Sequence, residues 1–404
     1  MKYTVEHIEG GILAATGFSA TGVSAGVKKS GKKDIAIIDA GTPVPAAAVF
    51  TRNSMAAAPI EVSRANIESG RIRAAVVNSG NANACTGARG LADARKMVEV
   101  TAHALGCSPA DVIIASTGVI GVPLPMQVIV DGIKAAVNAL PSGCARSAAE
   151  AIMTTDTTHK EAAVYVECDG MTFRVGGMAK GSGMIMPNMA TMLGFITTDA
   201  PLDPDACRAA LVSASAETFN RITVDGETST NDMVLLMASG AGCADVITTQ
   251  HPVYPAVVDA ITQVCRTLAH MIVKDGEGAT RFVSVTARGA SSLPDADAIA
   301  RSIANSPLFK TAIFGGDANW GRVAMAVGNS SALIDPNKLE IVFAGITTCR
   351  EGQAVPFDEA EAAQALAQPE IEVLVDLHLG DCEATVWTCD LSYEYVRING
   401  EYRS

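Results

Sequence analysis

Aromatic side chains are scarce in this chain, at 4% of 404 residues, and charged residues make up only 18%. With 49% hydrophobic residues, that composition excludes a disordered polymer. Basic residues are the minority: 30 Lys and Arg face 43 Asp and Glu, for a net charge of −13. A general nucleic-acid surface is excluded, because phosphate contacts need a basic face. One local lysine can still bind a carboxylate. No run of about 20 apolar residues is present, so no membrane span is expected. The opening Met1–His7 lacks the apolar core of a secretion signal, which predicts a cytoplasmic protein. None of the ten cysteines forms a CxxC pair, which argues against a zinc site. They read as small buried thiols in a reducing compartment. G-x-G-x-x-G and GxxxxGK[ST] are also missing, so neither a Rossmann sheet nor a phosphate loop is expected. No fixed-period repeat or low-complexity linker divides the chain.

What is present is glycine (36 residues) and abundant alanine, a composition suited to tightly packed α/β layers. Segments 34–39, 46–51, 73–78 and 111–116 read as strands, with a turn at Gly41–Pro45. Segments 91–105, 126–140, 204–219 and 253–271 have helical spacing. Arg281–Thr286 reads as a strand, and Ile371–Leu379 alternates apolar and polar residues as a half-buried strand. Strand 73–78 runs into the loop Ser79–Gly87, and strand 111–116 into Thr117–Gly121. Loops after strands are where sites collect.

The segment Lys180–Leu193 reads Lys-Gly-Ser-Gly-Met-Ile-Met-Pro-Asn-Met-Ala-Thr-Met-Leu. A threonine hydroxyl is a weak nucleophile and needs a base beside it. If the Ala190–Thr191 bond breaks, Thr191 gains a free α-amine with a pKa of about 8, a suitable base for its own hydroxyl. Cleavage would therefore create the catalyst. Locally, the same run also fits an ordinary buried strand.

Five further segments accompany it: Asn78–Gly87, Ser116–Gly121, Ile152–Thr157, Asp225–Asp232 and Asp275–Thr280. Their order and content, continued through Ala312–Arg322 to the terminal Ile398–Ser404, closely resemble the ornithine acetyltransferase family of arginine biosynthesis. The resemblance implies an α/β fold with sheets layered between helices and an N-terminal-threonine nucleophile. It implies self-cleavage at Ala190–Thr191 into an α chain (1–190) and a β chain (191–404) that share one globule, assembled as α2β2. It implies acetyl transfer from N2-acetylornithine to L-glutamate through acetyl-Thr191, with no metal or organic cofactor. Whether acetyl-CoA is also a donor stays open.

The same resemblance assigns Thr117 and Gly118 to an oxyanion hole. It assigns Thr155, Lys180, Thr191, Glu277, Asn399 and Ser404 to substrate binding. Lys180 would pair with a carboxylate and Glu277 with an ammonium group. Thr154 and Thr157 compete with Thr155 for the substrate contact. Asp156, Asn81, Asn83, Glu227 and Asp232 stand as supports of the site or of buried turns. Two other readings remain. Gly22-Val23-Ser24-Ala25-Gly26 fits the G-x-S-x-G elbow of a serine hydrolase. A self-cleaving amidase or aminopeptidase would use the same threonine with water as acceptor.

Overall fold

The computed structural model describes residues 2–186, 192–243 and 245–401. Ala190, Thr191 and Ser404 lie outside the described residues. Two compact units are present: Met1–Asn220 with Thr228–Ile272, and Arg221–Glu227 with Val273–Arg403.

The first unit is built on a nine-stranded sheet. Its strands are β1 (Tyr3–His7), β2 (Ser19–Val23), β3 (Ile35–Phe50), β4 (Arg71–Asn81), β5 (Val112–Val119), β6 (Lys160–Cys168), β7 (Met171–Lys180), β8 (Leu193–Thr198) and β9 (Met233–Ala238). They lie in the order β1-β6-β7-β8-β9-β3-β4-β5, with β2 also on β3. The helices are α1 (Ala58–Ile67), α2 (Gly87–Leu105), α3 (Met126–Ala139), α4 (Ala145–Ile152), α5 (Pro204–Glu217) and α6 (Tyr254–Lys274).

The period-2 alternation of β3, β4 and β5 buries both faces. Ile35, Ile37, Val76, Val112 and Ile114 pack with Met97, Val98 and Ile133 of α2 and α3. The intervening Ala36, Ile38, Ala75, Val77, Ile113 and Ala115 pack with Ala148 and Ile152 of α4. Each fully buried isoleucine contributes roughly 1.5–3 kcal/mol. A two-faced core explains why these strands read as near-continuous apolar runs. Further along the sheet, Val264 and Leu268 of α6 cover Gly177 and Ile196, leaving no room for a Cβ at Gly177.

The expected turn at Gly41–Pro45 is instead part of the 16-residue β3. Its pairing with β4 shifts register between Asp39 and Val44, so the glycine and prolines mark a bulge. Beyond it, Ala46–Phe50 pairs with β9. One strand thus joins the two halves of the sheet.

By length and composition α6 could cross a membrane, but 61% of its apolar window is buried inside the protein. All ten cysteines are free; Cys168, Cys207, Cys265, Cys349 and Cys389 are buried as expected, whereas Cys85 and Cys144 are exposed.

The second unit carries a six-stranded sheet. Its elements are β10 (Phe282–Ala290), α7 (Leu293–Ala304), α8 (Pro307–Gly315), α9 (Trp320–Gly328), β11 (Glu340–Phe343), β12 (Ile346–Arg350), β13 (Gln353–Ala354), α10 (Glu359–Leu366), β14 (Glu370–Asp376), β15 (Cys382–Cys389) and α11 (Tyr393–Glu401). Strand order is β13-β12-β11-β14-β10-β15. Val283, Val285, Val373, Val375 and Val386 bury one face against Ile299, Ile303 and Phe309. Within the Ala312–Arg322 segment, Gly316 ends α8 with φ 70° and Asn319 caps α9, accepting from the Arg322 N–H at 3.1 Å. That motif has a structural job.

Candidate active site

Strands β4 and β5 run parallel, with Ser79 opposite Thr117 and Gly80 opposite Gly118. Their carboxyl ends bring the two sequence-predicted loops together. Gly118 has φ 132°, and a Cβ there would sit 2.4 Å from the Gly80 carbonyl carbon and 2.5 Å from the Asn81 nitrogen. Only glycine fits this approach. The backbone N–H of Gly118 and the hydroxyl of Thr117 are consecutive donors at a strand end.

Asparagines brace these loops. Asn78 Nδ2 donates to the Asn81 carbonyl at 2.8 Å, and Ser116 Oγ donates to Asn78 Oδ1 at 2.6 Å. Asn81 accepts from the Asn83 N–H at 2.8 Å and donates to the Val122 carbonyl at 3.0 Å. Asn83 donates to the Gly90 carbonyl at 2.9 Å. Asn231 donates to the carbonyls of Ala82 and Ser116, tying the Asp225–Asp232 motif to both loops. Asn81 and Asn83 therefore support turns.

Lys180 closes β7 and pairs with Leu193 of β8, two positions beyond residue 191. Its side chain is 8% exposed, and its Nζ lies 3.5 Å from Thr117 Oγ1. That burial excludes a solvated side chain in a flexible loop. As the ammonium donates to Thr117, the hydroxyl proton of Thr117 is left to point elsewhere.

Buried carboxyls flank the lysine. Asp156 accepts from Lys160 Nζ at 2.8 Å, from the Gly181 N–H at 2.7 Å and from the Thr154 N–H at 2.9 Å. Burial alone would raise its pKa. The charges of Lys180 and Lys160, and its hydrogen bonds, outweigh burial and hold it well below the usual carboxylate range. Asp232 behaves in the opposite way. Burial pushes its carboxyl well above the ordinary value, against the pull of Ser229 and Lys180. Its Oδ2 is buried without a hydrogen-bond partner among the described residues.

Thr155, next to Asp156, is half-buried, and its hydroxyl makes no hydrogen bond among the described residues. Thr154 is half-buried as well, and Thr157 is exposed. Lys160, fully buried four residues beyond Asp156, was not foreseen; the i, i+4 charge pair was its signal.

Lys28 was also not foreseen. Asp34, fully buried, accepts from the N–H groups of Ala25, Gly26 and Lys28 at 2.6, 3.0 and 3.0 Å, fixing the loop that carries it. The stem of Lys28 lies over Gly80, where an added Cβ would be 3.0 Å from its Cγ. The signal was four lysines, Lys28, Lys29, Lys32 and Lys33, within six positions of an acidic chain.

In the second unit, Glu277 and Asn399 come together: Asn399 Nδ2 donates to Glu277 Oε2 at 2.8 Å. Glu277 is 8% exposed, although it lies on an Asp-Gly-Glu turn, where carboxylates are usually solvated. Gly278 has φ 71°, and a Cβ there would meet the Tyr395 nitrogen at 2.5 Å, so the Asp-Gly-Glu-Gly turn packs directly on α11. Glu227 is exposed on its own turn, its N–H donating to Asp225.

Ser24 does not form a nucleophile elbow. It follows β2, no helix succeeds it before β3, and its hydroxyl donates to the Gly31 carbonyl at 3.0 Å. No base touches it among the described residues.

Residues 19–404 match the model of the ArgJ family. The chain is 50% identical over 402 residues to the arginine biosynthesis bifunctional protein ArgJ of Symbiobacterium thermophilum, covering 99% of this chain and 100% of that protein. It is 46% identical over 397 residues to the protein of the same name from Bacillus cereus, covering 98% and 97%. A crystal structure of the arginine biosynthesis bifunctional protein argJ from Bacillus halodurans matches at 42% identity over 51% of this chain and 97% of that one, with a TM-score of 0.49.

Proposed function

Since the chain belongs to the ArgJ family, an enzyme family of arginine biosynthesis, we propose that it is a self-cleaving acetyltransferase moving acetyl from N2-acetylornithine to L-glutamate. The observation that carries this reading is the meeting of Lys180 and Thr117 at 3.5 Å. It lies where β8 begins, two residues after the scissile position.

In the precursor, the Thr191 hydroxyl attacks the Ala190 carbonyl and the peptide nitrogen leaves as the new α-amine. Water opens the resulting ester, freeing the carboxylate of Ala190 and the hydroxyl of Thr191. In the mature enzyme that amine accepts the hydroxyl proton as Thr191 attacks the acetyl carbonyl of the donor. The tetrahedral oxyanion accepts hydrogen bonds from the Thr117 hydroxyl and the Gly118 N–H; the Lys180 ammonium, donating to Thr117, polarises that hydroxyl. Collapse expels ornithine, whose nitrogen takes the proton back. Glutamate then attacks the acetyl ester with its neutral amine, and N-acetylglutamate leaves as Thr191 regains its proton.

Lys180 also faces the donor carboxylate, and Thr155 supplies a hydroxyl to the substrate. Glu277, oriented by Asn399, holds the ornithine ammonium, and Ser404 adds a terminal contact. Acetyl-CoA can replace N2-acetylornithine in acylating Thr191. The work is cytoplasmic, and two copies of each cut chain form an α2β2 assembly.

Intact-mass measurement tests the reading. Species ending at Ala190 and beginning at Thr191 are expected, with N-acetylglutamate formed in step with ornithine. An uncut 41.6 kDa chain with full transferase activity would overturn it. Acetate release without N-acetylglutamate would make the protein a hydrolase.

A further inference from the structure

We infer that Lys28 is the specificity-determining cation for the acceptor, binding the second carboxylate that glutamate has and N2-acetylornithine lacks. The inference rests on the proposed acetyl transfer and deepens it.

The two substrates take turns in one site but differ in charge. The donor carries one carboxylate and a side-chain ammonium; the acceptor carries two carboxylates. The first unit offers Lys180 to one carboxylate, and that ammonium already donates to Thr117. A second carboxylate needs a second cation. That cation must lie near the oxyanion loops with no carboxylate in contact with its ammonium.

Lys28 meets both conditions. Its stem lies on Gly80, and Gly80 lies directly against Gly118: a Cβ added at Gly118 would be 2.8 Å from the Gly80 Cα. The residue is half-buried, so its ammonium has shed part of its water. Its Nζ donates to the Lys33 carbonyl at 2.7 Å, and no carboxylate lies within 4.0 Å among the described residues. The nearby Asp34 has its carboxylate committed to three backbone N–H groups. The neighbouring Lys33 is spent on Glu150 at 2.5 Å. A half-buried ammonium with no carboxylate in contact with it, on a loop pinned by a buried aspartate, is arranged to receive an anion.

Its titration agrees with that geometry. Burial lowers the amine to about 8, offset by Asp34 and Asp156 and reinforced by Lys180 and Lys32. Below that pH the cation is present, and above it the anion site is lost.

The test separates the half-reactions. For Lys28→Met, the stoichiometric burst of ornithine from N2-acetylornithine is expected at the wild-type rate. The KM for glutamate should rise about 10–100-fold, the loss typical of a charged hydrogen bond. Lys28→Arg should recover most of it. Glutarate, a dicarboxylate without an amine, should inhibit the wild type with a Ki that climbs above pH 8 and inhibit Lys28→Met with a weak, pH-flat Ki. An unchanged glutamate KM, an equal loss in both half-reactions, or a KM shift confined to acetyl-CoA would each overturn the assignment. Failure of the wild-type burst would instead strike at the acetyl-transfer reading.

Discussion

Asn399 and Glu277, 122 positions apart, share a hydrogen bond of 2.8 Å between the amide nitrogen and the carboxylate. The same amide donates to the Tyr395 carbonyl at 3.1 Å, so α11 holds it in place. A carboxylate that is 8% exposed retains one oriented donor and a second oxygen for a cation. Replacing Asn399 by Ala removes the orienting bond while keeping the charge. The expected outcome is a roughly tenfold fall in kcat/KM for N2-acetylornithine, with thermal stability nearly unchanged at the exposed position 399. Glu277→Gln removes the charge and should cost more. Steady-state kinetics on both variants check this.

Gly118 is held to glycine by the Gly80–Asn81 backbone and by a φ of 132°. Gly118→Ala must push β4 and β5 apart at their ends, displacing the proposed oxyanion donor. Acetyl transfer and self-cleavage should both slow about 100–1,000-fold, the usual cost of one such donor. Gly121→Ala is the control: its φ is 79° but no atom lies within 4 Å of the added Cβ. It should lose about 1 kcal/mol of stability and keep activity. Single-turnover rates and urea unfolding separate the two effects.

The candidate residues were legible in the sequence through the motifs that carry the family resemblance. Thr117, Gly118, Lys180, Glu277 and Asn399 were all singled out; the structure brings Lys180 to Thr117 in the first unit and Asn399 to Glu277 in the second. The bulge in β3 was misread because glycine and prolines mark both turns and register shifts, and only pairing with β4 and β9 distinguishes them. Lys28 and Lys160 were missed for another reason. A lysine in sequence reads as solvated, and the i, i+4 pair of Asp156 with Lys160 and the lysine cluster at 28–33 do not by themselves reveal that the carboxylates of Asp156 and Asp34 are buried. Helix α1 (Ala58–Ile67) was not read at all, its apolar face being weak and its amino end uncapped by a side chain.

Asp156 should make stability fall in acid. Its folded pKa is depressed by Lys180 and Lys160 beyond what burial raises, while the unfolded value is about 3.9. The contribution is therefore complete above about pH 4 and lost as pH falls below it. Asp156→Ala leaves the fully buried Lys160 without its carboxylate and should cost about 3–5 kcal/mol at pH 7. Urea midpoints from pH 3 to 7 should show the gap between wild type and variant narrowing at the acid end.

Asp232 should act with the reverse sign. Its folded pKa is raised, chiefly by burial, so the unfolded chain ionises first as pH climbs past about 4. Wild-type stability carries a penalty that grows from there up to the folded pKa. Asp232→Asn cannot ionise and escapes it. The stability difference, wild type minus Asn variant, should become steadily less favourable to the wild type as pH climbs from about 4 toward the raised folded pKa. A flat difference would mean that Asp232 gains a counter-ion once the chain is cut.

Cleavage at 190–191 should not release the chains. Strands β8 and β9, both after the cut, lie between β7 and β3, both before it. Every residue of β8 and β9 is buried. Six residue pairs join β7 to β8, and five join β3 to β9. Pulling the fragments apart would expose four strand edges, those of β7, β8, β9 and β3, and the core they bury, a cost on the scale of unfolding. Native size exclusion of cut protein should give a single species containing both fragments, separable only in denaturant. The 1–190 fragment expressed alone should be insoluble, because β7 and β3 would face water across the gap that β8 and β9 fill. Co-expression of 1–190 with 191–404 should restore solubility. A soluble, folded 1–190 fragment would show that the sheet closes without the strands of the other chain.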